Sequence, residues 1–221
     1  NKTKTLGYRG LMEHSLKEQD YHHAFIYGEK LFLINPKIEK LYDTLVNIIA
    51  KTRNWNQLIA MTEKAYSNRI INKKQADENK SIAFYEISKI KMKSDVTESV
   101  NLIEKAILLN KNFAPYIKLY LKILFSIGNT SKINKVLKKY WNKSPSASLR
   151  TSITEVLKEN NINEIDFIKS FTNSNLNNEE SKKLIVDFAI YLSEWSIARE
   201  NIKGLIGPHP SREICLFMSE I

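Results

Sequence analysis

A chain of 221 residues with 43% hydrophobic and 26% charged content and a formal charge of +10 can bury one sizeable core or two small ones. It is neither a disordered nor a fibrous composition. Six glycines and five prolines are too few for the turns of a β-sandwich or barrel. A single cysteine, Cys215, excludes an internal disulfide framework and a multi-cysteine zinc site.

From the N-terminus onward the apolar residues fall at helical spacing. Tyr42, Leu45, Val46 and Ile49 stand at i, i+3, i+4 and i+7, and Ile117, Tyr120, Leu121 and Leu124 repeat that spacing. Each such stripe makes an amphipathic helix that must bury one face. Strand-like alternation is not sustained anywhere, so the expected class is all-α. No window approaches 18 consecutive apolar residues, and no transmembrane helix is expected. The chain opens at Asn1 without methionine and stops at Ile221 within an apolar, helix-like segment, which suggests part of a longer product.

The helices repeat. The run Asp20-Tyr21-His22-His23-Ala24 aligns with Asn54-Trp55-Asn56-Gln57-Leu58, 34 residues on. Glu29-Lys30-Leu31 aligns with Glu63-Lys64-Ala65 at the same step, and Glu104-Lys105-Ala106 follows 41 residues later. Val96 and Thr130 are again 34 apart. Pro36, Pro145 and Pro210 share one phase, where each is expected to stop the second helix of a hairpin. The units are residues 20–36, 54–65, 95–110, 128–145 and 194–210. About seven extra residues lie near 68–80. Residues 144–178 fit the period badly, and 172–178 read as a loop. Small residues at Ala24, Ala65, Ala106 and Ala198 allow close helix approach. By their common phase, Tyr21, Trp55 and Trp195 are expected as core residues closing their hairpins. One domain over residues 1–221 is expected, because a stack of hairpins shares a continuous core.

Catalytic and metal-binding patterns are missing. His22 and His23 are adjacent, so they point to different sides of a helix and cannot chelate one ion as an i, i+4 pair does. Cys215 lies within Ile214-Cys215-Leu216-Phe217-Met218 and reads as a buried packing thiol. Gly204 and Gly207 flank a turn and form no phosphate cradle. No enzyme activity and no cofactor are expected. The charge is uneven: residues 1–104 carry +4, residues 105–154 carry +10 and residues 155–221 carry −4. Between Glu104 and Glu155 stand nine lysines and Arg150 with no acid. Such a stretch is either a solvated face or a patch for an anionic partner, whether an acidic protein segment, an anionic bilayer or RNA. No RNA-reading motif accompanies it, and nucleic acid is not an expected partner.

A 34-residue helix–turn–helix period with a large residue opening the second helix, a small one a turn later and a closing proline resembles the tetratricopeptide repeat. That resemblance implies a solenoid wound as a right-handed superhelix, with the first helix of each hairpin lining a concave, protein-binding face. It places Asp43, Asn47 and Lys51 of the second unit, Tyr85 of the third, and Lys118 and Lys122 of the fourth on that face. Where chaperone-binding relatives grip a C-terminal carboxylate, this chain has Asn47 but also Arg9 and Glu13. Glu13 would repel the carboxylate, so a broader acidic surface is expected instead.

Three further stretches, taken together, are similar to the HemY-type proteins of proteobacteria: Thr5-Leu6-Gly7-Tyr8-Arg9-Gly10-Leu11-Met12, Asn54-Trp55-Asn56-Gln57-Leu58, and the closing residues from Pro210 to Ile221. The resemblance implies an inner-membrane protein with an N-terminal anchor and a cytoplasmic repeat region. It also implies a non-catalytic scaffold linked to haem and porphyrin biosynthesis, with tetrapyrrole-pathway enzymes as partners. The alternatives are a tetratricopeptide adaptor in another membrane-associated assembly, or a helical repeat that binds RNA or an anionic surface.

Overall fold

A computed structural model describes residues 2–111 and 113–221. Among the described residues there are thirteen α-helices, one 3-10 turn and no strand. They fall into two compact units, Asn1–Lys111 and Asn112–Ile221. The first holds α1 (Lys2–Lys17), α2 (Tyr21–Ile34), α3 (Leu41–Thr52), α4 (Trp55–Ser67), α5 (Lys73–Lys91) and α6 (Val96–Leu109). Each helix packs on the next, so this unit is a stack of three hairpins. The second holds α7 (Ala114–Ser126), α8 (Thr130–Lys143), α9 (Ala147–Glu159), α10 (Ile165–Thr172), α11 (Glu179–Tyr191), α12 (Trp195–Lys203) and α13 (Arg212–Glu220). There α7 packs on α8 and α9, α8 on α10, α9 and α10 on α11, and α11 on α12 and α13. The chain is a helical-repeat protein.

The same turn closes four of the hairpins. Gln19, Arg53, Gly128 and Ser193 all have positive φ, between 54° and 66°. The next residue (Asp20, Asn54, Asn129 or Glu194) donates its backbone N–H to a carbonyl five residues back, at 2.7–3.3 Å. This left-handed closure satisfies carbonyls that the end of a helix would leave bare. Asp20, Asn54, Asp95 and Asn129 then accept a hydrogen bond from the backbone three residues on and cap the second helix.

The fourth and eighth positions of that second helix are buried in all five aligned units. They are Ala24, Leu58, Ser99, Ile133 and Ala198, and then Gly28, Thr62, Ile103, Leu137 and Ile202. At Gly28 an added Cβ would meet Leu45 Cδ2 at 2.7 Å and Met12 Sδ at 3.0 Å, so a larger residue there would have to displace those side chains. Ser88 and Ser99 bind one another reciprocally, each hydroxyl donating to the other's carbonyl at 2.8–2.9 Å, and tie α5 to α6.

Some expectations change and others are refined. The poorly fitting region 144–178 holds two helices, α9, which packs on α7 and α11, and α10, which has only eight residues and packs on α8 and α11. It escapes the period because α10 is short, although Leu149, Ile153, Val156 and Leu157 keep a buried helical stripe. In the 172–178 stretch, a 3-10 turn spans Asn173–Asn175. Ser174 donates to Asn142 Oδ1 at 2.5 Å, and Asn175 Nδ2 donates to the Trp141 carbonyl at 3.4 Å.

The seven extra residues near 68–80 lengthen α5 to 19 residues. Pro210 does not close the last second helix: α12 ends at Lys203 with Gly204 behind it, and Pro210 precedes α13.

Tyr21, Trp55 and Trp195 do open equivalent helices; Tyr21 and Trp55 pack against the core of the first unit, as expected, whereas Trp195 is largely turned outward. The first two are half-buried and Trp195 is 40% exposed. A side chain at the first helical position leans back over the turn, while the positions three and seven residues later enter the interior. Cys215 is exposed, not buried. The inward face of α13 is set by Ile214, Phe217 and Ile221, and Cys215 stands one residue round from Ile214.

Candidate functional site

On α3, Asp43 and Asn47 lie one turn apart and exposed, and neither is engaged by another described residue. Asp43 borders a cavity of about 400 Å³, walled by Lys37, Lys40, Arg69 and Gln75. Lys51, a further turn on, is held: its Nζ donates to the Tyr21 hydroxyl at 2.9 Å and lies 4.7 Å from that ring's centroid. Tyr85 is half-buried on α5 with Lys89 Nζ 5.2 Å from its ring centroid. On α1, Arg9 and Glu13 pair with each other at 2.9 Å, so Arg9 offers a compensated charge. His22 and His23 are exposed, and His23 Nδ1 sits 2.6 Å from the Asp20 carboxylate. The backbone N–H of His23, then its side chain, holds the Asp20 carboxyl below its ordinary value.

Lys118 and Lys122, the expected steering charges of α7, are paired within the fold. Lys118 binds Glu155, the first acid after the acid-free stretch, and Lys122 reaches Glu159 at 2.8 Å. The hydrogen bond from Lys122 keeps the Glu159 carboxyl below its usual range. One helix further, Lys158 of α9 pairs with Asp187 of α11 at 3.1 Å. Ion pairs therefore run from α7 to α9 to α11 across the second unit.

This changes what charge reversal would do. The double variant Lys118→Glu with Lys122→Glu would set four carboxylates against one another between α7 and α9. It is expected to lower the thermal midpoint by a few degrees. Adding Glu155→Lys and Glu159→Lys should recover most of the loss. A midpoint unmoved by the first pair would show that these contacts carry no weight.

Arg150, counted in the sequence as one more surface base, is 6% exposed. Its Nε donates to Glu180 of α11 at 2.8 Å and its Nη2 to Glu213 of α13. Lys183, 7% exposed, reaches Glu179 at 2.8 Å and Glu213 at 3.3 Å. Burial works against the charged form of each member. The opposite charges and hydrogen bonds outweigh it, raising Arg150 and Lys183 and holding the Glu213 carboxyl below its ordinary range. A network so well satisfied locks three helices together and has no free valence for substrate. One signal in the sequence does point to it: the stretch 105–154 has nine lysines and this single arginine, the residue suited to bidentate buried pairs.

Among the described residues no three histidine, cysteine or acidic side chains converge to hold a metal ion. No helix among them is long and apolar enough to cross a membrane.

No protein-family model matches the chain, and no curated protein matches it by sequence. Solved structures similar to it include a tetratricopeptide repeat protein from Parabacteroides merdae, at 10% identity over 99% of this chain and 85% of that one, with a TM-score of 0.43. Pseudomonas aeruginosa pilF is 14% identical over 100% and 99%, with a TM-score of 0.39. YrrB, described as a TPR protein with an unusual peptide-binding site, is 13% identical over 88% and 98%, with a TM-score of 0.37.

Proposed function

We propose that the chain is a non-catalytic adaptor that holds partner proteins on the outward faces of its first-of-pair helices. The observation that supports this most is the division of labour on α3. Tyr42, Leu45, Ile48 and Ile49 fill the interior, whereas Asp43 and Asn47 stand exposed with no described partner. In the first unit the face comprises Asp43, Asn47 and Lys51 with Tyr85 of α5. In the second it comprises Lys118 and Lys122, which an acidic partner would have to draw away from Glu155 and Glu159.

The finer reading is a HemY-like protein: a scaffold for tetrapyrrole-pathway enzymes, anchored in the bacterial inner membrane with this region facing the cytoplasm. It rests on the three short sequence stretches beginning at Thr5, Asn54 and Pro210.

The test is a pull-down from the source cell with the full chain and with Asp43→Ala/Asn47→Ala, the bound proteins being identified by mass spectrometry. Recovery of tetrapyrrole enzymes that falls about tenfold with the variant supports both readings. Recovery of another assembly, equally sensitive to the variant, keeps the adaptor and removes the haem link. Recovery that ignores the variant removes the face.

A further inference from the structure

In the second unit, the bases of helices α7 and α9 are all neutralised internally. Lys118 and Lys122 are matched by Glu155 and Glu159, Arg150 by Glu180 and Glu213, and Lys158 by Asp187. Helix α8 differs. It contains five lysines and no acid. Lys135, Lys138, Lys139 and Lys143 are exposed, and among the described residues none has a carboxylate within ion-pair distance. Lys135, Lys139 and Lys143 follow one another at i, i+4 and i+8, with Lys138 beside them, so they share one face. At 1.5 Å per residue the stripe is about 12 Å long. The opposite face is spent on the core, where Ile133, Val136, Leu137 and Trp141 are buried.

We infer that this face of α8 docks an acidic protein segment. The inference rests on the adaptor reading and adds a second surface to it, distinct from the faces of α3, α5 and α7. A segment with carboxylates repeating every three to four residues on a helix, or about four extended residues rich in Asp and Glu, spans the stripe.

The same face is poorly built for the other polyanions. A bilayer-surface helix needs apolar side chains to insert, and those of α8 point into the core. Single-stranded RNA needs exposed rings for stacking. On α8, Trp141 is fully buried, and Tyr140 is half-buried with Lys139 Nζ 5.3 Å from its ring centroid. Lysine ammonium groups also lack the planar fork that reads phosphate bidentately. Carboxylates met as point charges ask for no more than the stripe supplies.

The probe is a fluorescent twelve-residue peptide alternating Glu-Glu-Ala, with a Gln-Gln-Ala peptide as its neutral counterpart, followed by anisotropy against the full chain. Binding is expected to the acidic peptide alone and to weaken steeply between about 50 and 200 mM salt, as the screening length shrinks to near 8 Å. The variant Lys135→Gln/Lys138→Gln/Lys139→Gln/Lys143→Gln should bind at least about tenfold more weakly. Glutamine has nearly the helix propensity of lysine, so circular dichroism and the thermal midpoint should be unchanged. Arginine at the same four positions should retain binding.

The control removes the same charge elsewhere, with Lys17→Gln/Lys73→Gln/Lys93→Gln/Lys203→Gln, and should bind within about twofold of the parent chain. Equal losses in both quadruple variants would reduce the effect to net charge and overturn the assignment. Tighter, α8-dependent binding of a uridine twelve-mer, or of phosphatidylserine–phosphatidylcholine vesicles, would give the face to a phosphate-bearing partner and overturn it too. Because the probe is defined and the α3 face is left intact, failure here leaves the pull-down result standing.

Discussion

Replacing Arg150 by methionine is expected to destabilise the second unit by roughly 3–5 kcal/mol, the usual cost of stranding one side of a buried ion pair. Glu180 is left with Lys183 at 3.7 Å as its remaining partner, α9 loses its ion pair to α13, and Lys158–Asp187 is left to tie it to α11. Urea unfolding of the full chain measures it. Arg150→Lys should recover only part of the loss, because an ammonium cannot serve Glu180 and Glu213 with the geometry of a guanidinium. A loss below about 1 kcal/mol would place the network with ordinary surface pairs.

The same network fixes the direction of the pH response. The Glu213 carboxyl is held below its unfolded value of 4.5, so its contribution is fully present above that pH. It is lost as pH falls through the lower folded value. Lys183 is raised above 10.5, so its contribution is complete below that value and fades as pH rises through the folded one. Glu213→Gln should therefore flatten the acid limb of the stability profile below about pH 5 while leaving the alkaline limb in place. An acid limb of unchanged slope would show that other carboxylates set it.

The second large effect is expected at Trp141, which is fully buried, edge-on to Phe171 with centroids 6.1 Å apart. Its Nε1 donates to Ser181 Oγ at 2.8 Å. Trp141→Ala should cost roughly 3–5 kcal/mol through lost burial and the cavity left between α8, α10 and α11. Trp141→Phe keeps an aromatic ring but leaves the buried Ser181 hydroxyl without its donor, at about 1–3 kcal/mol. Ser181 and Glu180 are neighbours at the start of α11, so the Trp141 and Arg150 variants should combine non-additively. Strict additivity in the double variant would argue that the two contacts act independently.

What the sequence determined by itself was the local part of this architecture. Helical spacing and the 34-residue step placed the starts of second helices at Tyr21, Trp55 and Trp195, because a helix start is decided by its own backbone and the next three residues. Small residues at Ala24, Ala65, Ala106 and Ala198 likewise announced close packing, and all four are buried. The tertiary structure decided everything that depends on which faces meet. Periodicity marks Trp141 as apolar but cannot say that it is the fully enclosed tryptophan while Trp195 lies at a rim. Charge counting put Arg150, Lys118 and Lys135 in one class. Their partners lie at a sequence distance of 30 to 63 residues or, for Lys135, are missing among the described residues. An ion pair between helices is a property of their packing, and a net charge per stretch averages it away. Only the fold separates bases that hold the protein together from the four on α8 that are left to meet something else.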